Sequence, residues 1–98
     1  MNPRVLAQLE KIAAARIQLL SLPQIHTHFA FERDGFVILV ERMEDGFGGI
    51  GAPGLLTDAG FAPLLNDHFV AKAYQRPATP EEREAMRSFL DDLKAALA

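Results

Sequence analysis

The apolar residues of this chain change their spacing from one segment to the next, and the spacing predicts the elements. Near the N-terminus Leu6, Leu9, Ala13, Ile17 and Leu20 recur three and four positions apart, with Val5 and Ile12 widening the stripe. That is the period of one apolar face of an α-helix. Asn2 supplies an N-cap, and Pro3 suits the first helical position because its missing N–H had no partner there. Ser21-Leu22-Pro23 ends the helix. From Ile25 the period falls to two, with Ile25, Phe29 and Phe31 on one side. Asp34-Gly35 then forms a turn pair that accepts positive φ, and Phe36 to Val40 is apolar at every position. Residues 25 to 44 therefore read as a β-hairpin whose second strand is apolar on both faces.

A two-residue loop at Asp34-Gly35 fixes the register. Arg33 faces Phe36, Phe31 faces Ile38, Phe29 faces Val40 and His28 faces Glu41. One face carries Phe29, Phe31, Phe36, Ile38 and Val40, the predicted core. The other carries His26, His28, Ala30, Glu32, Val37, Leu39 and Glu41, an apolar half beside a polar one.

After the hairpin, Glu44-Asp45-Gly46 reads as a turn and part of the glycine-rich stretch Phe47 to Leu56 as a third, bulged strand. Thr57 to Leu65 is read as a short helix capped by Thr57, although Gly60 and Pro63 both work against one. Asn66-Asp67 is a turn, His68 to Tyr74 a strand, and Gln75 to Ala78 a connection. Thr79-Pro80-Glu81-Glu82 combines an N-cap, a first-position proline and a capping-box glutamate. Met86, Phe89, Leu90, Leu93 and Leu97 follow as one stripe, with acids at the start and Lys94 near the end, as the helix dipole prefers. The expected fold is α+β, in the order α-β-β-β-(short α)-β-α. A mostly antiparallel sheet of about four strands should carry both terminal helices on one face. This element order resembles that of small secretion-chaperone folds; no sequence motif accompanies it, so the resemblance implies a fold and not a function.

Composition narrows the function classes. A length of 98 residues points to a single domain, 1–98, and 49% apolar residues argue against disorder. The net charge of −3, with no Lys/Arg cluster, argues against a nucleic-acid partner. The absence of cysteine excludes disulfides, cysteine-ligated zinc or iron–sulfur sites and thiol nucleophiles. Glu10, Lys11 and Arg16 interrupt the N-terminal apolar residues, so neither a signal-peptide core nor a membrane span is expected, and the cytoplasm is the expected compartment.

Two motifs bear on chemistry. His26-x-His28 places two imidazoles on one strand face, about 6.6 Å apart along the strand, with Glu41 across from His28. With Glu32, the pattern His-x-His-x3-Glu resembles the first metal motif of cupins. The resemblance spans residues 26 to 32, and no second motif follows. His26, His28 and Glu41 are the candidate ligands, but three convincing ligands do not assemble, so no metal or other cofactor is expected. Gly46-Phe47-Gly48-Gly49-Ile50-Gly51 satisfies the glycine fingerprint of dinucleotide-binding folds. It lacks the preceding strand and following helix, because Ala52-Pro53-Gly54 is a poor helix opening.

Catalytic groups are few. Ser21 and Ser88 lie outside any nucleophile-elbow pattern, and Glu81-Glu82 and Asp91-Asp92 diverge on a helix. Arg83 and Arg87 are placed to pair with Glu84 or Asp91. The expected function is a non-catalytic protein-binding or regulatory module acting as a homodimer. Its interface is expected around Ala30, Val37 and Leu39, which either a second copy or the segment Thr57 to Leu65 of the same chain would cover. The alternative is a small-ligand or metal site, catalytic or not, near His26, His28 and Glu41.

Overall fold

The computed structural model describes residues 2–23, 25–58, 60–71 and 74–98. Helix α1 (Pro3–Ala14) leads into strands β1 (Gln18–Leu20), β2 (His28–Arg33), β3 (Phe36–Met43), β4 (Gly46–Thr57), β5 (Gly60–Leu65), β6 (His68–Ala71) and β7 (Tyr74–Pro77). Helix α2 (Pro80–Leu97) closes the order. The seven strands form one antiparallel meander in which every neighbour in space is a neighbour in sequence. The fold is α+β, as expected, with seven strands in place of about four.

The extra strands come from three segments. Gln18–Leu20, expected inside the first helix, is an edge strand. α1 ends at Ala14, and Arg16 takes a left-handed conformation with φ 61° that no helix continues through. Ile17 and Leu20 fit a helical stripe only by coincidence of spacing. Thr57 to Leu65 is not a short helix: β4 ends at Thr57 and β5 begins at Gly60, with Ala59 outside the described residues. Thr57 pairs with Gly60, whose φ of 110° suits glycine, and the Thr57 hydroxyl donates to the Gly60 carbonyl at 2.8 Å. Finally, His68 to Tyr74 is not one strand: β6 stops at Ala71, and Tyr74–Pro77, read in part as a connection, is β7. Residues 72 and 73, within that reading, lie outside the described residues.

The central hairpin has the register its turn dictates. Asp34 and Gly35 have φ of 55° and 90°, the geometry that matches strand twist, and Arg33↔Phe36 through His28↔Glu41 pair in sequence. Asn66 and Asp67 repeat the device, with φ of 50° and 64° between Leu65 and His68. In β4 the glycines serve a different end. Ile38 faces Pro53, Val40 faces Ile50 and Arg42 faces Phe47, so β4 carries one extra residue in each interval. These bulges fall at Gly51-Ala52 and Gly48-Gly49, and the first lies beside Pro53, a residue that central strands otherwise exclude.

Both helices lie on the face bearing Phe31, Phe36, Ile38 and Val40, which joins Ile12, Met86, Phe89, Leu93 and Ala96 in one core. The inward side of α1 is Val5, Gln8, Leu9 and Ile12; Leu6 and Ala13, expected in the stripe, face outward. Buried Gln8 donates its side-chain amide to the Leu97 carbonyl at 2.9 Å, satisfying a free C=O at the end of α2. At the other end α2 has its full capping box: Thr79 accepts from the Glu82 N–H, and Glu82 accepts from the Thr79 N–H. Arg33 ties the three layers together. It donates to the Ala15 carbonyl at 3.1 Å and to Asp92 at 2.7 Å, with its guanidinium 5.3 Å from the centre of the Phe89 ring. No helix among the described residues is long and apolar enough to cross a membrane.

Candidate functional site

The face of the sheet turned away from the helices carries Leu20, Ala30, Leu39, Val37, Gly54, Pro63, Phe61, Leu56 and Leu65, following the strand registers. No helix lies on it, yet Ala30 is 2% exposed and Val37 fully inaccessible within one chain. The cause is a tiling of large side chains over small ones. Gly54 is the cross-strand neighbour of Val37, and a methyl group there would fall 2.5 Å from the Phe61 ring. Phe61 therefore lies across Gly54 and shields the Val37 position, as aromatic side chains do over strand glycines. Ala30 sits between Leu20 and Leu39 in the same way. Leu39 remains half-buried, while Leu56 and Leu65 are 37% and 56% exposed.

The polar end of this face does not assemble a metal centre. His28 and Glu41 are cross-strand partners, as the hairpin register requires. The Glu41 carboxylate, however, leans the other way, over Gly48 of β4, where a methyl group would meet its Oε1 at 2.7 Å. The His28 Nδ1 shares a hydrogen bond with the Thr27 hydroxyl at 2.8 Å. Among the described residues no three His, Asp or Glu side chains converge on a common point. Glu32, the last residue of the cupin-like pattern, accepts the Gly35 N–H at 2.8 Å and so belongs to the turn. The glycine fingerprint likewise lies inside β4, with strand and not helix following Gly51.

What the histidines do share is a cavity. His26 and His28 line a hollow of about 620 Å³ at the sheet edge, together with Leu20, Leu22, Ile25 and Arg42. Ser21 also borders it. Ser88 is elsewhere, in contact with Arg33 at 3.5 Å.

The strongest electrostatic perturbation is on α2. The Arg76 guanidinium, 2.6 and 2.7 Å from the Glu82 carboxylate, holds its pKa down to about 2. The Thr79 N–H adds to the effect, and partial burial opposes it. On the exposed side of α2, Arg87 bonds both Glu84 and Asp91 and lowers the Glu84 pKa, while Arg83 lies 3.8 Å from Asp67. These groups are structural. The sequence reading did not single out Phe61, Leu56, Leu65 or Arg42. The first three fell in or beside the segment read as a helix, and Arg42 lay within the hairpin of residues 25 to 44.

No protein-family model matches this chain, and neither does any curated protein or solved structure. The functional reading therefore rests on the geometry alone.

Proposed function

We propose that the protein is a non-catalytic protein-binding module that acts as a homodimer through the helix-free face of its sheet. The observation that carries the reading is the apolar continuity of that face. It runs from Leu20 and Leu39 to Leu56 and Leu65 with Ala30 and Val37 as its floor, and no helix among the described residues lies over it. Antiparallel sheets that keep one face in water usually alternate apolar and polar residues, whereas this one is apolar on both sides at its centre. A contiguous exposed apolar patch marks an association surface, and a second copy is the commonest partner, because a two-fold axis matches one patch to itself. Burying the face would stabilise association by about 25 cal/mol per Å² before the entropy costs of binding.

Sedimentation or light scattering at tens of micromolar tests the reading. The wild type should have the mass of two chains, and Leu65→Glu, at an exposed position, should give a folded protein of one chain. Leu39→Glu should do the same by placing a charge inside the contact. A wild-type mass of one chain at that concentration removes the dimer.

A further inference from the structure

The cavity beside His26 and His28 has a structural origin that suggests its use. β1 pairs with β2 only from Gln18↔Glu32 to Leu20↔Ala30, while β2 runs on to His28. Residues 21–23 and 25–27 belong to no strand, and the Arg42 N–H donates to the Thr27 carbonyl at 3.0 Å. The hollow of about 620 Å³ lies between these residues and the unpaired end of β2. That volume falls within the range of small-molecule pockets, roughly 300–1,000 Å³.

Its walls are of two kinds. Leu20, Leu22 and Ile25 are aliphatic, and Arg42 supplies a cation. The guanidinium carbon of Arg42 lies 4.1 Å from the centre of the Phe29 ring, a cation–π contact that restrains the exposed side chain. Arg33, Arg76, Arg83 and Arg87 each have a carboxylate partner. Arg42 has none among the described residues, although Glu41 and Glu44 flank it in sequence. The Glu41 carboxylate is turned to Gly48, and neither acid lines the hollow.

We propose that this cavity binds a small amphiphilic monocarboxylate, its carboxylate on Arg42 and its hydrocarbon chain against Leu20, Leu22 and Ile25. A guanidinium presents the two parallel donors that a carboxylate accepts in bidentate fashion. Arg42 is the permanently charged group on a lining that also holds His26 and His28, and its planar fork fits the two oxygens of a carboxylate. The proposal goes beyond the dimer reading and does not depend on it.

The test is a titration of the full chain, followed by amide chemical shifts, with decanoate below its micelle concentration, decanol and inorganic phosphate in parallel. Decanoate should shift the amides of Leu22, Ile25, His28 and Arg42, and should bind at least about tenfold more tightly than decanol, the scale of one charge-assisted hydrogen-bonded pair. Phosphate should not bind there. Arg42→Gln should remove the preference for decanoate while leaving decanol unchanged. Leu22→Glu, which keeps Arg42, should reject decanoate by placing a like charge in the wall. Equal binding of decanoate and decanol to the wild type overturns the proposal. So do a preference that survives Arg42→Gln, saturable phosphate binding at Arg42, shifts confined to Leu56 and Leu65, and no binding at millimolar decanoate.

Discussion

The two faces of the sheet reach the same depth of burial by different means. On the covered face Phe31, Ile38 and Val40 are inaccessible because α1 and α2 lie over them. On the other face Val37 is equally inaccessible with no helix above it, because Phe61 spans the space that Gly54 leaves empty. The first arrangement fills a volume between layers; the second shingles one layer with itself. A fully buried residue therefore does not by itself imply a second layer. The apolar run Phe36 to Val40 is half satisfied by its lateral neighbours, and the surface still in need of cover shifts outward to Leu39, Leu56 and Leu65.

The difference has a mechanical consequence. Removing a side chain from between packed layers leaves a void that helices on one side and strands on the other cannot collapse into. Val40→Ala, beneath the helices, should cost about 2–4 kcal/mol in urea denaturation. Val37→Ala, measured in the monomeric Leu65→Glu background, should cost only about 1–2 kcal/mol, because an unsealed gap is open to relaxation and to water. Equal losses at the two positions would mean that the faces are sealed alike, and the contrast drawn above would fail.

A smaller effect tests the shingling itself. A methyl group at Gly54 would stand 2.5 Å from the Ala62 carbonyl oxygen as well as from the Phe61 ring. One of these neighbours is backbone, so Gly54→Ala must push β4 and β5 apart or lift Phe61 off the face. It should cost about 1–3 kcal/mol. Gly49→Ala in the same strand meets nothing within 4 Å and should change stability by less than about 0.5 kcal/mol. A tolerated Gly54→Ala would show that Phe61 does not lie where the tiling requires.

How much of this was legible in the sequence varied with the range of the interaction. Asp34-Gly35 set the β2–β3 register, and Thr79-Pro80 with Glu82 set the start of α2, because turn and cap chemistry is complete within four residues. Gln18–Leu20 was not legible as a strand. Its apolar residues fit the helical stripe, and the break at Arg16 is made by a residue with no preference for positive φ. Pro53 left the third strand legible, whereas Pro63 hid β5. Each is tolerated for a tertiary reason, the first beside a bulge and the second where β5 changes partner from β4 to β6. The candidate site was read from His26, His28 and Glu41. Strand alternation put the last two on one face and opposite one another, but not the direction in which Glu41 leans, which depends on Gly48 one strand away. Arg42 was invisible for the same reason: its contact with the Phe29 ring, and the absence of an acid partner for it among the described residues, are properties of the folded chain.

The smallest effect concerns the seam between the covered face and α2. The ion pairs seen among the described residues all engage α2, and the one between Arg76 and Glu82 joins that helix to β7 above Phe69. Glu82 has its pKa lowered from 4.5 to about 2 in the folded protein, with Arg76 the chief cause. A carboxylate lowered in this way contributes stability that is present above its unfolded pKa and is lost as pH falls through the folded one. Its contribution should therefore be complete at pH 7, decline below about pH 4.5 and be gone near pH 2. Glu82→Gln keeps an oxygen to accept the Thr79 N–H but removes the charge. The pair is partly solvated, with the Arg76 side chain 38% exposed. The loss at pH 7 should thus be about 1 kcal/mol, or about 4–8 °C in melting temperature. Thermal melts at pH 7, 4.5, 3 and 2 should show the wild-type and variant curves converging as the carboxylate protonates. A gap that stays constant over the acid range would assign the effect to capping geometry and not to the charge, and the seam would then be held by packing alone, like the face beneath it.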